Sequence, residues 1–265
     1  MAVPITVVDA FTEVAFAGNP AGVVVLDAPA PEAWMRAVAA EVNLAETAFV
    51  VPRDDGDHDL RWFTPAVEVD LCGHATLATA HVLGGSRRFH TRSGVLACEP
   101  GPDGTIALDL PAIAVAPADP AGWADALGLP AEAVVAAAEG GGWALVEVAT
   151  AAHVEACRPD RTAVVALGGH VVVVADATGD DAVGFDSVCR CFVPAAGIDE
   201  DPVTGSAHCV IAPWLAARTG RRSFTGRQAS ARGGVVTMEV RGDRVRLAGR
   251  AVTVWRGELL AGPDA

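Results

Sequence analysis

This chain of 265 residues contains no lysine and no tyrosine. Without lysine there is no internal Schiff base, which excludes pyridoxal-dependent racemisation and class I aldol chemistry. The same absence removes the lysine of a phosphate-binding P-loop. Without tyrosine there is no phenolic acid of the short-chain dehydrogenase kind. No G-x-G-x-x-G and no H-E-x-x-H run occurs. The six cysteines (72, 98, 157, 189, 191 and 209) are scattered, with no C-x-x-C pair. That pattern reads as free thiols of a reducing compartment rather than a disulfide framework. The opening MAVPITVVDAF lacks the basic start and apolar core of a signal peptide. The most apolar run, residues 163–175, is short and interrupted by Gly168, Gly169 and His170. It is too short to span a bilayer. The expected location is cytoplasmic, with no membrane partner. A net charge of −14 also opposes a nucleic-acid partner, whose phosphates demand a basic face.

What is present is a core-forming composition, 51% hydrophobic and 20% charged. Most of the chain reads as short β-branched strands. Among these are residues 4–9, 23–26, 47–51, 60–63, 143–148, 162–167, 171–175 and 186–193. A helix is expected at 31–42, from the spacing of Trp34, Val38 and Val42. Two helices stand out as apolar on nearly every side, at about 73–83 and 205–217. Such helices are buried, not laid on a surface. Glycines stop both, at Gly84-Gly85 and Gly220. The stretch 111–121, rich in Pro and Ala, is the best linker.

The two halves repeat each other. Arg61-Trp-Phe-Thr-Pro-Ala66 matches Arg190-Cys-Phe-Val-Pro-Ala195 at an offset of 129. Beyond a three-residue insertion, Gly73, Ala75, Ala80 and Leu83 match Gly205, Ala207, Ala212 and Leu215. The repeat predicts an α+β fold of two pseudo-symmetric domains. Each is a curved, mostly antiparallel sheet around a central helix. The expected division is residues 1–113 with about 250–265, and 114–249, with the site in the cleft between them.

Each helix start offers backbone N–H donors and the positive end of a dipole, so the expected ligand is an anionic small molecule, bound through its own carboxylate. The residues there are Cys72, Gly73, His74 and Ala75 in one half, and Asp201, Thr204, Gly205 and Ser206 in the other. Taken alone, 201–206 also reads as an ordinary capping turn. Glu46, alone, reads also as a solvent-edge glutamate. Its interest is that it is a single acid beside the apolar strand 47–51, a setting that suits proton transfer near neutral pH. Cys72, His74, His208 and Cys209 fit no standard zinc spacing, so no metal is expected.

Five segments together resemble the PhzF family, the phenazine-biosynthesis-like isomerases of the diaminopimelate-epimerase fold. They are Asp9-Ala-Phe-Thr12, Phe16-Ala-Gly-Asn-Pro-Ala-Gly22, Asn43-Leu-Ala-Glu-Thr-Ala-Phe49, Leu71-Cys-Gly-His-Ala-Thr76 and Glu200-Asp-Pro-Val-Thr-Gly-Ser-Ala207. The resemblance implies two barrel-like domains around central helices, no cofactor, and a homodimer. In the phenazine enzyme a glutamate moves a proton between two carbons of trans-2,3-dihydro-3-hydroxyanthranilate. The matching residue here is Glu46. The family's histidine, aspartate and serine fall on His74, Asp201 and Ser206, and its helix-start glycines on Gly73 and Gly205. Related epimerases and proline racemases use two cysteines, one at each helix start. Here the second start has none. A one-thiol racemase using Cys72 and a non-catalytic binding protein are the alternatives.

Overall fold

The β-branched opening of the chain forms β1 (Val3–Ala10), the middle of a ladder. It pairs antiparallel with β2 (Asn19–Val25) on one side and with the closing strand Ala251–Leu259 on the other. α1 (Glu32–Val42) then crosses over to β3 (Glu46–Pro52), which runs parallel to β2. β4 (His58–Phe63) pairs antiparallel with β3 and with the short β5 (Glu68–Val69). After α2 (Gly73–Leu83), β6 (Arg87–Thr91) runs parallel to β4, and β7 (Gly94–Pro100) and β8 (Ile106–Pro111) continue as an antiparallel meander. The computed structural model describes residues 2–263 and divides into Met1–Asp109 with Ala248–Ala265, and Leu110–Leu247.

The second unit repeats this pairing scheme. β9 (Ala116–Ala118) is followed by α3 (Trp123–Leu127), and β10 (Val134–Gly140) pairs antiparallel with β9 and with β11 (Trp143–Val148). α4 (Ala151–Ala156) and α5 (Arg161–Ala166) lead to β12 (Val171–Asp176), parallel to β11. β13 (Ser187–Val193) pairs antiparallel with β12 and with β14 (Ile198–Asp201). α6 (Gly205–Thr219) follows, then β15 (Ser223–Gln228), parallel to β13, and β16 (Gly234–Arg241), antiparallel to β15.

The duplication extends to side chains. Arg61 makes a two-pronged ion pair with Glu68, at 2.7 and 2.6 Å, and lies 5.1 Å from the centre of the Phe63 ring. Arg190 does the same with Glu200, at 2.7 and 2.8 Å, and lies 4.9 Å from the centre of Phe192. The fork of the guanidinium matches a carboxylate, and its face matches a ring. The R-x-F motif is therefore an internal brace that recurs in each unit.

α2 packs against β1, β2, β3 and the closing strand, and every residue from His74 to Ala80 is buried. Its side chains are small, which lets strands approach on all sides. The hydroxyls of Thr76 and Thr79 donate back to the carbonyls of Cys72 and Ala75, so burying them leaves no donor unmet. α6 packs likewise against β11, β12, β15 and β16. It carries Pro213, which has no N–H to give to the carbonyl four residues back. Ile113 supplies that bond instead, its N–H donating to Cys209 O at 3.0 Å. On the outer faces, α1 buries Met35, Val38 and Ala39 against Leu26, Phe49 and Phe63. α3, α4 and α5 cover Val146, Val171, Val173 and Phe192. Helices on both faces explain why β12 reads as an unbroken Val run.

Two local expectations change. Residues 162–167 form α5, not a strand, because Asp160 caps them: its Oδ1 accepts the N–H of Ala163 at 2.8 Å. The expected linker is ordered structure, with β9 inside it and Ile113 tied to α6. Among the described residues no helix is long and apolar enough to cross a membrane.

Candidate active site

In the first unit, three segments converge on the start of α2. Asn43 ends α1 in the left-handed conformation (φ 53°), and the turn after it delivers Glu46 as the first residue of β3. Residues 46, 48 and 50 share the face of β3 turned to α2, since 49 and 51 pack under α1. His74 lies in the first turn of α2, and its Nε2 is 3.2 Å from Glu46 Oε2. The pair is secluded: the Glu46 side chain is 14% exposed and that of His74 6%.

The other ring nitrogen, Nδ1, is 3.2 Å from the amide nitrogen of Asn19 and 3.5 Å from Cys72 Sγ. An amide nitrogen only donates, so Nδ1 is the acceptor and the imidazole proton sits on Nε2, the nitrogen nearer Glu46. Burial depresses the imidazole to about 3, so it is neutral across the physiological range. Glu46, Cys72 and His74 have potential ligand atoms within 4.8 Å of one another. The thiol and the carboxylate nevertheless address opposite nitrogens of one ring, whose lone pairs diverge. Asn19 and Cys72 meet Nδ1 from one side, while the Glu46 carboxylate lies 3.2 Å from Nε2 without an aligned hydrogen bond.

In the second unit, the start of α6 gathers Asp201, Thr204, Gly205 and Ser206. The hydroxyl of Thr204 donates to Asp201 Oδ2. Gln228, at the end of β15, accepts the Thr204 N–H. Neither Cys72 nor Thr204, the N-caps of the two helices, makes a side-chain capping bond, and neither first turn carries an acid. Both helix starts therefore keep the donor character that suits an anion. Gly73 opens α2 and Ala75 is fully buried in its first turn, while Ser206 is half-buried in that of α6.

The register makes the two units comparable position by position. Thr47 faces Phe63, and Val171 faces Phe192, so Glu46 corresponds to His170. His74 corresponds to Ser206, and Cys72 to Thr204. The His170 ring lies against Trp143, centroids 5.7 Å apart. Asn19 and Gln228 were not singled out from the sequence. Asn19 follows Gly18 inside a turn-like motif, which is a signal of sorts. Gln228 is a lone polar residue in a strand and gives none.

His208, fully buried in α6, is also held neutral by burial, its imidazole lowered to about 4. An unfolded histidine titrates near pH 6.5. From about pH 6.5 down to 4 the unfolded chain thus binds protons that folded His74 and His208 refuse. Stability is full above that window and falls as the pH drops through it, by about 1.4 kcal/mol per pH unit for each histidine. Urea midpoints at pH 7, 6 and 5 should show this decline. His208→Gln should make it shallower by about one proton. An unchanged slope would contradict the assignment.

A family model described as phenazine biosynthesis-like protein (PhzC-PhzF) matches residues 8–257. An uncharacterized isomerase of Halalkalibacterium halodurans is 40% identical over 98% of this chain and 99% of its own. One of Pseudomonas aeruginosa is 44% identical over 95% and 96%. The crystal structure of a PhzF family protein from Enterococcus faecalis superposes with a TM-score of 0.91 at 38% identity, covering 98% of this chain and 100% of that one. The fold is shared more distantly with a hydroxyproline epimerase from Agrobacterium vitis, TM-score 0.63 at 12% identity, covering 99% and 94%. With the family model spanning nearly the whole sequence and relatives matching end to end, this chain belongs to the PhzC-PhzF family of phenazine biosynthesis-like proteins.

Proposed function

We propose that this protein is a cofactor-independent isomerase. It moves a proton between two carbons of a small, unsaturated carboxylate, and Glu46 is the single proton carrier. One observation carries the reading. Among the described residues, the helix-start carboxylate–imidazole pair, at 3.2 Å, stands in the first unit and not in the second. The corresponding positions of the second unit hold His170, packed on Trp143, and Ser206. A racemase that works from two faces needs a carrier on each; a shift along one face needs one. The thiol position is equally one-sided, Cys72 against Thr204. The isomerase names of the relatives from H. halodurans and P. aeruginosa support the class.

In this mechanism Glu46 takes a proton from a carbon next to the unsaturated system and returns it to another carbon on the same face. Neutral His74 stands beside the carboxylate without neutralising it: its Nε2 is 3.2 Å from Glu46 Oε2, and its Nδ1 is held from behind by Asn19. The helix-start N–H groups, at Gly73 in the first unit and at Gly205 in the second, are the donors suited to a substrate carboxylate. Asp201 and Ser206 engage its other polar groups. Donors already aimed at a developing enolate contribute several kcal/mol without reorganisation.

The test is incubation in D2O with unsaturated carboxylates, beginning with trans-2,3-dihydro-3-hydroxyanthranilate. The wild type is expected to incorporate deuterium at the carbon that gains the proton, and Glu46→Gln is not. Full activity in the variant would overturn the mechanism.

A further inference from the structure

We infer that Gln228 is a positioning residue for Asp201, acting through Thr204. Its side chain is fully buried, and it makes three hydrogen bonds to one turn. Oε1 accepts the Thr204 N–H at 2.9 Å. Nε2 donates to the Asp201 carbonyl at 2.7 Å and to Thr204 Oγ1 at 3.3 Å. The Thr204 hydroxyl has one proton, and it points to Asp201 Oδ2. The order of donation is therefore Gln228 to Thr204 to Asp201. It ends on the carboxylate, so it fixes the rotamer of Asp201.

The duplication separates this role from plain fold maintenance. In both units the hairpin after the parallel strand sends a serine back to the turn before the helix. Ser93 Oγ donates to Asp70 O at 2.7 Å, and Ser230 Oγ donates to Pro202 O at 2.8 Å. That clamp is common and suffices to close the turn. The register of β6 and β15 against their partners places Thr91 opposite the role of Gln228. Thr91 is spent locally, its hydroxyl on Gly94 O at 2.7 Å. The glutamine is an addition of the second unit alone, and that unit's turn carries Asp201. A buried amide needs every one of these partners, since a lost one leaves a polar group stranded. It is an expensive way to hold a turn that a serine already holds, unless the turn must present a carboxylate in one geometry.

The inference rests on the reading of Asp201 as a substrate-binding group. Two measurements test it. In crystal structures of Gln228→Met, and of Gln228→Glu, which keeps the acceptor for the Thr204 N–H, the Asp201 carboxylate is expected to leave hydrogen-bond distance of Thr204 Oγ1. An unmoved carboxylate in both would overturn the inference whether or not any substrate is turned over. With trans-2,3-dihydro-3-hydroxyanthranilate in D2O, Gln228→Met is expected to lose deuterium incorporation by on the order of tenfold to a hundredfold, the scale of a misplaced group. In an Asp201→Asn background the same change is expected to cost nothing further. Equal losses in the two backgrounds would mean a merely structural role. If Glu46→Gln stays fully active, the proton-shift mechanism fails, while the Asp201 geometry still decides on Gln228.

Discussion

Glu46→Gln is expected to lower turnover by about 10²–10⁴-fold, the usual worth of a positioned acid–base group. It should shift the melting temperature by no more than about 2 °C, since it neither opens a cavity nor strands a charge. The amide has the shape of the carboxylate, and its oxygen can still lie beside His74 Nε2. What it cannot do is take and return a proton. Fold and site geometry stay, and chemistry goes. Three outcomes separate the readings. Loss with an unmoved melting curve supports Glu46 as the carrier. Activity retained in Glu46→Gln but abolished by alkylating Cys72 assigns the chemistry to the thiol, which lies 3.5 Å from His74 Nδ1. Tight binding of an unsaturated carboxylate by the wild type with no deuterium exchange makes the protein a binding module.

Gly18→Ala is expected to cost about 2–4 kcal/mol of stability and to loosen the site as well. Gly18 sits at φ +64°, where a side chain strains the backbone. Space is the larger problem. A Cβ there would lie 2.2 Å from the carbonyl oxygen of Ala10 and 2.6 Å from Thr12 Cγ2. The first of these is backbone at the end of β1 and cannot swing aside. The chain must move, and the next residue is Asn19, which is buried and meets His74 Nδ1. Gly56→Ala is the control: its φ is +86°, yet nothing lies within 4 Å of the added carbon. It should cost only about 1 kcal/mol. Urea unfolding reads both, and 15N shifts of the His74 ring read the tautomer. Equal costs for the two glycines would refute the packing argument.

The repeat was legible because its strongest mark, R-x-F-x-P-A, is a local motif with a physical job. Each arginine needs its phenylalanine two residues on and its glutamate after the turn. The buried helices were legible from their unbroken apolar faces, whereas Glu46 on its own read equally as a solvent-edge glutamate and drew its assignment from the family resemblance. Residues 162–167 misled because a Thr-Ala-Val-Val run favours a strand in isolation. The cap from Asp160 and the seat of Val164 in the outer core decide for a helix. Asn19 and Gln228 were not legible as site residues. Their decisive bonds span 55 and 24 positions, and no periodicity encodes them. Sequence reveals the groups that carry chemistry by their type. The groups that aim them are revealed only by the fold.

The central claim is one carrier working on one face. It is tested most directly by following the migrating atom. Substrate deuterated at the carbon that loses its proton is turned over in H2O, under single-turnover conditions, with trans-2,3-dihydro-3-hydroxyanthranilate as the first compound. Glu46 is secluded, its side chain 14% exposed, so exchange with water competes with return. The account predicts that part of the deuterium reappears in the same product molecule, on the face it left. Product hydrogen drawn wholly from solvent and delivered to the opposite face would contradict it.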